Sequence, residues 1–415
     1  MIYLIWDASD MWGLLAAWGI RGLGIASRIV TAADVASGLL KREKPSVLLL
    51  PGGFSRHKAA ALAPAGQEAI REYVASGGLY LGVCGGAGLA LTGETGLGLC
   101  PWQRVGYENR IQHAMSGHFS VTPAEHALTP HNLASPPLLP VWWPGRFAPP
   151  NKKTPEVTVL AAYDTPGDDF WLADLPVASL PEQIFADWEK RYAFSPSPSF
   201  LHGQACILHG RYGKGDYVLT YSHLETPRSP DANAWLAHIL KTAGGERPER
   251  TEIPAWNLDE CIPAWEDSGI ESMWADIALV MQTGLNAGLF FARSSWLMGW
   301  RIGIPGAVLG AVRAQLHTIR SLPASPAALA LWRNERETLV PAFHIFAKRA
   351  VSYLLAKRLS LTLAHDLPET LIPKALLKER EEIFGATGMA GHTGGLLGAL
   401  LPHLDTLARL QLQGQ

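Results

Sequence analysis

Along its first hundred residues the chain alternates between two hydrophobic periods. Ile2 to Trp6, Arg28 to Thr31, Ser46 to Leu50 and Leu79 to Val83 are short apolar runs ended by Asp, Pro or Gly. Between them lie longer Ala-rich pieces with helical spacing, Met11 to Arg21, Ala32 to Lys41 and Pro64 to Ala75. Short buried strands alternating with helices predict right-handed βαβ units and a mostly parallel sheet flanked by helices. From Cys100 to His209 the pattern weakens: the segment is rich in Pro, His and Trp, and Val157 to Tyr163 is its one strong strand. Ala205 to His209 and Tyr217 to Tyr221, joined through Gly210 to Asp216, predict a hairpin. After Gly244 to Pro248 the texture changes. Ile277, Val280, Met281, Gly284, Leu285 and Gly288 share one helical face, as do Leu339, Phe343, Phe346, Ala350 and Leu354. The expected organisation is therefore an α/β domain over 1–248 and a C-terminal all-α bundle of four or five helices over 249–415.

Composition narrows the function classes. Apolar residues make up 48% of the 415, enough for a sizeable core. Lys and Arg number 35 against 37 Asp and Glu, with no basic excess on either side of residue 250, so a nucleic-acid partner is not expected. The longest apolar stretch, Trp296 to Val312, is interrupted by Arg301 and Pro305, and the start, Met1 to Asp7, has no basic n-region. These features predict a cytoplasmic protein without a membrane span. Four cysteines in a chain this long make no disulfide framework. His113, His118, His126 and His131 fit neither a zinc finger nor an HExxH helix, so neither metal nor cofactor is expected.

The strongest local signal is Leu81 to Gly88, which follows a predicted strand and opens a predicted helix. A nucleophile on a sharp strand-to-helix turn needs small neighbours, and Cys84 has Gly82 and Gly86. The bland alternative is a buried cysteine ahead of a Gly-rich helix start. Pro51-Gly52-Gly53 ends the preceding strand at the same carboxyl edge, where open α/β sheets place their sites. Backbone N–H groups at Gly52 or Gly53, with that of Gly85, suit a two-donor oxyanion hole. His223 and Glu225, two apart after the hairpin strand, suit a base and its orienter. Trp143 and Arg146, in the aromatic segment Val141 to Phe147, are further candidates for substrate contact, Arg146 through a carboxylate. Core packing and an ordinary surface Arg are the alternatives.

In their order, Pro-Gly-Gly, Gly-x-Cys-x-Gly and Ser-His-x-Glu resemble the class I glutamine amidotransferase-like superfamily over residues 1 to 245. The resemblance implies a flavodoxin-like three-layer fold. It also implies a Cys84 nucleophile, His223 as base and acid, Glu225 as orienter, and Gly53 and Gly85 as oxyanion donors. Two positions depart from working glutaminases: Gly88 stands where Gln is usual, and Leu224 where Pro is usual. Gly85 also replaces the His common in the PfpI-like protease branch. Cys84-Gly85-Gly86-Ala87 and Trp142-Trp143-Pro144-Gly145 are similar to the family named for the N-terminal domain of biotin-protein ligases. Two functions follow as expectations. One is a Cys-His-Glu hydrolase or amidotransferase acting on a small amide or related carbonyl through a thioester. The other is a small-molecule-binding or regulatory module that keeps the pocket, with the helical domain contacting a partner protein or a second copy.

Overall fold

In the computed structural model, which describes residues 1–106, 111–151, 157–301, 306–364, 374–386 and 393–414, the chain divides into two compact units, Met1–Ala255 and Trp256–Gln415. In the first unit the early apolar runs become β1 (Ile2–Ile5), β2 (Ser27–Val30), β3 (Val47–Leu50) and β4 (Leu79–Val83). Every residue of β1, β3 and β4 is buried, which is why these strands read as solid runs rather than alternating ones. Helices α1 (Met11–Gly22), α2 (Ala32–Ala36), α3 (Leu39–Glu43), α4 (Ser55–Ala75) and α5 (Gly85–Ala90) fill the connections. The α4 span starts earlier than the predicted Pro64, because Ala63 adopts φ 50°, ψ 175° and joins two helical pieces across a kink. One sheet face, through Tyr3, Leu48, Leu50 and Tyr80, packs on Ile70 and Val74 of α4. The alternate residues Ile2, Leu4, Val47 and Leu49 are equally buried, and α1 lies against β1 and β2.

The sheet is mixed, which corrects the expectation of a mostly parallel one. The next strands are β5 (Gln103–Arg104), β6 (Met115–Pro123), β7 (Leu138–Trp142), β8 (Phe147–Ala148), β9 (Val157–Pro166), β10 (Trp171–Leu172) and β11 (Leu175–Pro176). Helix α6 (Ile184–Tyr192) precedes β12 (Ala205–Tyr212) and β13 (Gly215–Thr220), and α7 (Pro230–Thr242) follows. The main path runs β11-β10-β6-β9-β12-β13-β4-β3-β1-β2, with β7 paired to β6. From β13 to β2 every pairing is parallel; from β13 to β11 every pairing is antiparallel. The hairpin β12–β13 turns the direction, and antiparallel neighbours need no helical crossover. A short two-stranded sheet, β5–β8, stands apart.

Parallel pairing places the carboxyl ends of β1, β3, β4 and β13 on one rim. Asp7, Pro51, Cys84 and Tyr221 therefore emerge side by side. The first unit extends past the expected boundary at 248 because the following segment is tied to it. Glu249 N–H donates to Leu23 O, Ile253 N–H to the Asn233 side chain, and Trp18 Nε1–H to Pro254 O.

The second unit holds, among the described residues, α8 (Ser268–Asn286), α9 (Gly306–Ser321), α10 (Pro326–Leu363), α11 (Lys374–Phe384) and α12 (Gly395–Gln413). It is not purely helical. β14 (Phe290–Ala292) and β15 (Met298–Trp300) form an antiparallel hairpin, a correction at the stretch scanned for a membrane span; Pro305 lies outside the described residues. Asp267 caps α8 by accepting from the Gly269 and Ile270 N–H groups, and Ser325 caps α10. The predicted stripe Leu339, Phe343, Phe346, Ala350 and Leu354 is buried, with α10 packed on α8 and α12. Among the described residues α10 alone has the length and hydropathy of a span.

Candidate active site

Cys84 follows the last residue of β4 and precedes α5, with φ 49°, ψ −104°. A left-handed φ on a non-glycine residue is strained by about 1–3 kcal/mol and persists only where neighbours hold it. Here the Cys84 N–H donates to Thr220 O at 2.7 Å, and its carbonyl accepts from Gly88 N–H at 2.9 Å. The elbow is close-packed on the neighbouring strand end. A Cβ on Gly85 would lie 2.0 Å from Gly53 O, so only glycine fits there. Gly53 has φ +113°, and a Cβ there would lie 2.4 Å from Ala8 O. The Gly53 and Gly85 backbones thus touch beside the thiol. Among the described residues, neither N–H donates to a protein group.

His223, at the end of β13, is fully buried. Its N–H donates to Pro140 O at 2.8 Å, and its ring Nδ1 lies 2.8 Å from Glu225 Oε1. Trp12 packs on the ring with centroids 4.5 Å apart. A Cβ on Gly52 would lie 2.8 Å from the Trp12 ring and 3.0 Å from His223 Cε1, so Gly52 makes room for this stack. Fixing Nδ1 on the carboxylate leaves Nε2 for a second task. It is buried, makes no hydrogen bond among the described residues, and the ring lies within electrostatic reach of the Cys84 thiol.

The electrostatics favour the charged pair. Burial opposes the Cys84 thiolate, but the adjoining His223 ring and its charge, with the charge of Arg104, outweigh it; the thiol pKa falls below its ordinary range. Burial likewise opposes the imidazolium, but the Glu225 charge, the adjoining Cys84 thiol and the hydrogen bond to Glu225 push His223 up to about 10. The other cysteines move the opposite way, because burial raises the pKa of Cys100, Cys206 and Cys261. The thiol is thus lowered beside a raised imidazole, a pairing that the other three cysteines lack.

The remaining predicted residues separate. Trp143, at φ 63°, is half-buried and meets Trp12 edge-on with centroids 5.6 Å apart, so it stands beside the His223 stack. The Arg146 guanidinium instead lies over the Phe200 ring, 5.3 Å from its centroid, and reaches Phe200 O. After His223, the charge of Arg104, on β5, also lowers the thiol. Sequence reasoning missed both Arg104 and Trp12. The first sits on a two-residue strand without a pattern. The second occupies an apolar helical position that reads as core.

The histidine cluster disperses. His126 stacks near His209, centroids 5.1 Å apart, and among the described residues no three His, Cys, Asp or Glu side chains converge as metal ligands. His118 joins a second trio: Nδ1 is 2.8 Å from Asp169 Oδ2 and Nε2 is 2.9 Å from Ser229 Oγ. Those distances match a hydrolase triad, but the exposure is inverted. Ser229 is 1% exposed while Asp169 is 48% exposed. A nucleophile must be reached and its orienting acid shielded, so this trio reads as a tie between β6 and the start of α7.

The sheet, the strained cysteine elbow and the converging strand ends define the first unit as an α/β module with one candidate rim. Residues 35–92 match the family described as "Biotin-protein ligase, N terminal". That span contains Gly52, Gly53, Cys84 and Gly85 but neither His223 nor Glu225. Similar solved structures include a Thermoplasma acidophilum protein described as a GMP synthase subunit. It is 14% identical, with 59% of this chain and 94% of that chain covered and a TM-score of 0.37. The β-galactosidase of Rahnella sp. R3 is also 14% identical, over 58% of this chain and 31% of its own, at TM-score 0.32. That of Bacillus circulans sp. alkalophilus is 11% identical, over 60% and 31%, at TM-score 0.35. No curated protein matches the chain.

Proposed function

We propose that the first unit is an acyl-transfer enzyme, a hydrolase or amidotransferase, with Cys84 as nucleophile, His223 as acid and base, and Glu225 as orienter. The observation that carries this is the buried His223 ring, pinned at Nδ1 by Glu225 2.8 Å away while its other nitrogen is left to serve the strained cysteine. The Cys84 thiolate attacks the carbonyl carbon of a small amide or related substrate. The carbonyl electron pair moves onto oxygen, which the Gly53 and Gly85 N–H groups stabilise. Collapse breaks the C–N bond as His223 gives its Nε2 proton to the leaving amine, and a thioester remains. Neutral His223 then deprotonates a water, which attacks the thioester; the carboxylic acid departs and the thiolate is restored. Losing one oxyanion donor costs such a reaction about 3–4 kcal/mol of barrier lowering. Trp143 walls the pocket. No cofactor enters this scheme.

Gly88 bears on the substrate. Gly88 offers no side-chain amide to hold a substrate, and a Cβ there would already contact Ser55, at 3.5 Å, and the Tyr221 hydroxyl, at 3.8 Å. This supports an acyl group other than that of glutamine. It also favours the second reading, a pocket that binds without turnover while the helical unit docks a partner or a second copy.

The deciding experiment incubates the full chain with a panel of small amides and thioesters. It follows ammonia or thiol release together with the intact mass of the protein. An acyl adduct on Cys84 that vanishes in Cys84→Ala, with the melting temperature unchanged, supports the enzyme. A compound that stabilises the protein yet is recovered unaltered, with no adduct, overturns the enzyme in favour of the binding module.

A further inference from the structure

Among the described residues, the reaction scheme leaves a fully buried lysine unused. Lys58, in the first turn of α4, is 1% exposed and is among the largest fully buried side chains of the chain. A sealed ammonium is costly unless it is paired, so its surroundings are informative. Its Nζ donates to Ser9 Oγ and, at 3.4 Å, to Asp7 O. The Asp10 carboxyl feels its charge, together with that of His57. Between the two gripped residues stands Ala8, in the left-handed region at φ 53°, and Asp10 follows at φ 47°.

This strained turn touches the site. The Ala8 carbonyl lies where a Cβ on Gly53 would be, 2.4 Å away, and Lys58 Cε is 3.5 Å from the same point. Gly53 therefore sits between the turn on one side and Gly85 on the other. Ala8, Asp10, Cys84 and Trp143, four of the non-glycine residues with left-handed φ, surround this one rim. Strain gathered at one place persists only where packing and hydrogen bonds over-determine it. At the Ala8 turn the fastening is the Lys58 ammonium.

We propose that Lys58 is a positioning residue for the Gly53 half of the oxyanion hole, acting through the Asp7–Asp10 turn. By holding Asp7 O and Ser9 Oγ it presses the Ala8 carbonyl against Gly53. That contact fixes the left-handed backbone that aims the Gly53 N–H at the space above Cys84. The same ammonium places positive charge behind the donor, where it favours a developing negative charge in front. The inference rests on the reading of Cys84 as nucleophile.

Two probes separate this role from general damage, and neither requires the natural substrate. p-Nitrophenyl acetate acylates a thiolate through an oxyanion: the S–C bond forms, the carbonyl pair moves to oxygen, and collapse expels p-nitrophenolate. Iodoacetamide alkylates the same thiolate by direct displacement of iodide, with no oxyanion at the reacting carbon. In the full-length Lys58→Met protein, burst release of p-nitrophenolate should slow by about tenfold or more, while the alkylation rate at Cys84 stays within twofold. Ser9→Ala, which loosens one grip and keeps the cation, should show a smaller change of the same sign. It decides the matter if Lys58→Met does not fold. Acylation at the wild-type rate in a folded variant overturns the proposal, as does an equal fall in both rates. A different result points elsewhere: if wild-type Cys84 reacts with neither probe faster than Cys100 does, the nucleophile reading itself fails.

Discussion

The contact between Gly85 and Gly53 offers the most direct perturbation of the site. In Gly85→Ala the new methyl would lie 2.0 Å from Gly53 O and 2.6 Å from Gly53 C. An ordinary carbon–oxygen contact is about 3.4 Å, so the elbow and the Gly53 loop must part by more than about 1 Å. Both partners are backbone, and no side chain can swing aside to absorb the overlap. A misplacement of about 1 Å typically costs about a hundredfold in rate, which is about 2.7 kcal/mol of transition-state stabilisation. Overpacking of this kind lowers stability by about 1–3 kcal/mol. Gly93→Ala is the matched control, since a Cβ there meets nothing within 4 Å. Stopped-flow release of p-nitrophenolate measures acylation, iodoacetamide labelling measures the thiolate, and denaturant unfolding measures the fold. Gly85→Ala should lose about two decades of acylation while alkylation changes a few-fold at most, and Gly93→Ala should match the wild type in all three. Near-wild-type acylation in folded Gly85→Ala would refute the claim that these two backbones form the oxyanion-binding wall.

Two further outcomes follow from the titration behaviour. The alkylation rate of Cys84 should reach its plateau at lower pH than that of Cys100, Cys206 or Cys261; in Glu225→Gln its midpoint should rise, because the carboxylate's small direct effect of raising the thiol is outweighed by its role in keeping His223 charged against burial. Mass-resolved labelling across pH checks this, and an unmoved midpoint counts against the role of Glu225. In the helical unit, burial and then the charges of Arg313 and Arg320 lower His317 to about 4. Its folded-state pKa lies below the unfolded value of 6.5, so the unfolded chain takes up the proton first and stability falls as pH drops from 6.5 towards 4. The loss approaches about 3 kcal/mol at roughly 1.4 kcal/mol per pKa unit. His317→Gln should flatten that part of the stability–pH curve, as read by denaturant midpoints; parallel curves for variant and wild type would sink the assignment.

What was legible in the chain follows from where each residue gets its constraint. β1, β3 and β4 are buried on both faces, so their own composition announces them, and the residues just beyond their ends had to fall on one rim. Gly52, Gly53 and Cys84 were readable for that reason, and His223 and Glu225 because β13 ends on the same side. The antiparallel half was readable only at the Val157 to Tyr163 strand and the β12–β13 hairpin. β7 contains Pro140, which removes a ladder donor and argues against a strand, yet the segment pairs with β6 from Leu138 to Trp142. Only that long-range pairing makes it a strand, and its Pro140 carbonyl then holds the His223 backbone.

Side chains that tune the site, rather than react in it, were hidden for a related reason. Trp12 lies on a helix whose residues are mostly buried, so an apolar position there is satisfied equally by packing in the core or on the His223 ring. Lys58 falls ahead of the predicted helix at Pro64, and nothing local shows that Ser9 and Asp7 wait for its ammonium. Arg104 and Arg146 were indistinguishable along the chain for the same reason. Both flank aromatic residues, and the pairing of Arg104 with Phe147, together with the Phe200 ring that holds Arg146, decides which charge reaches the thiol. Reacting groups sit where elements end, and chain ends carry local marks; supporting groups sit on faces, and a face acquires its meaning only from what folds against it.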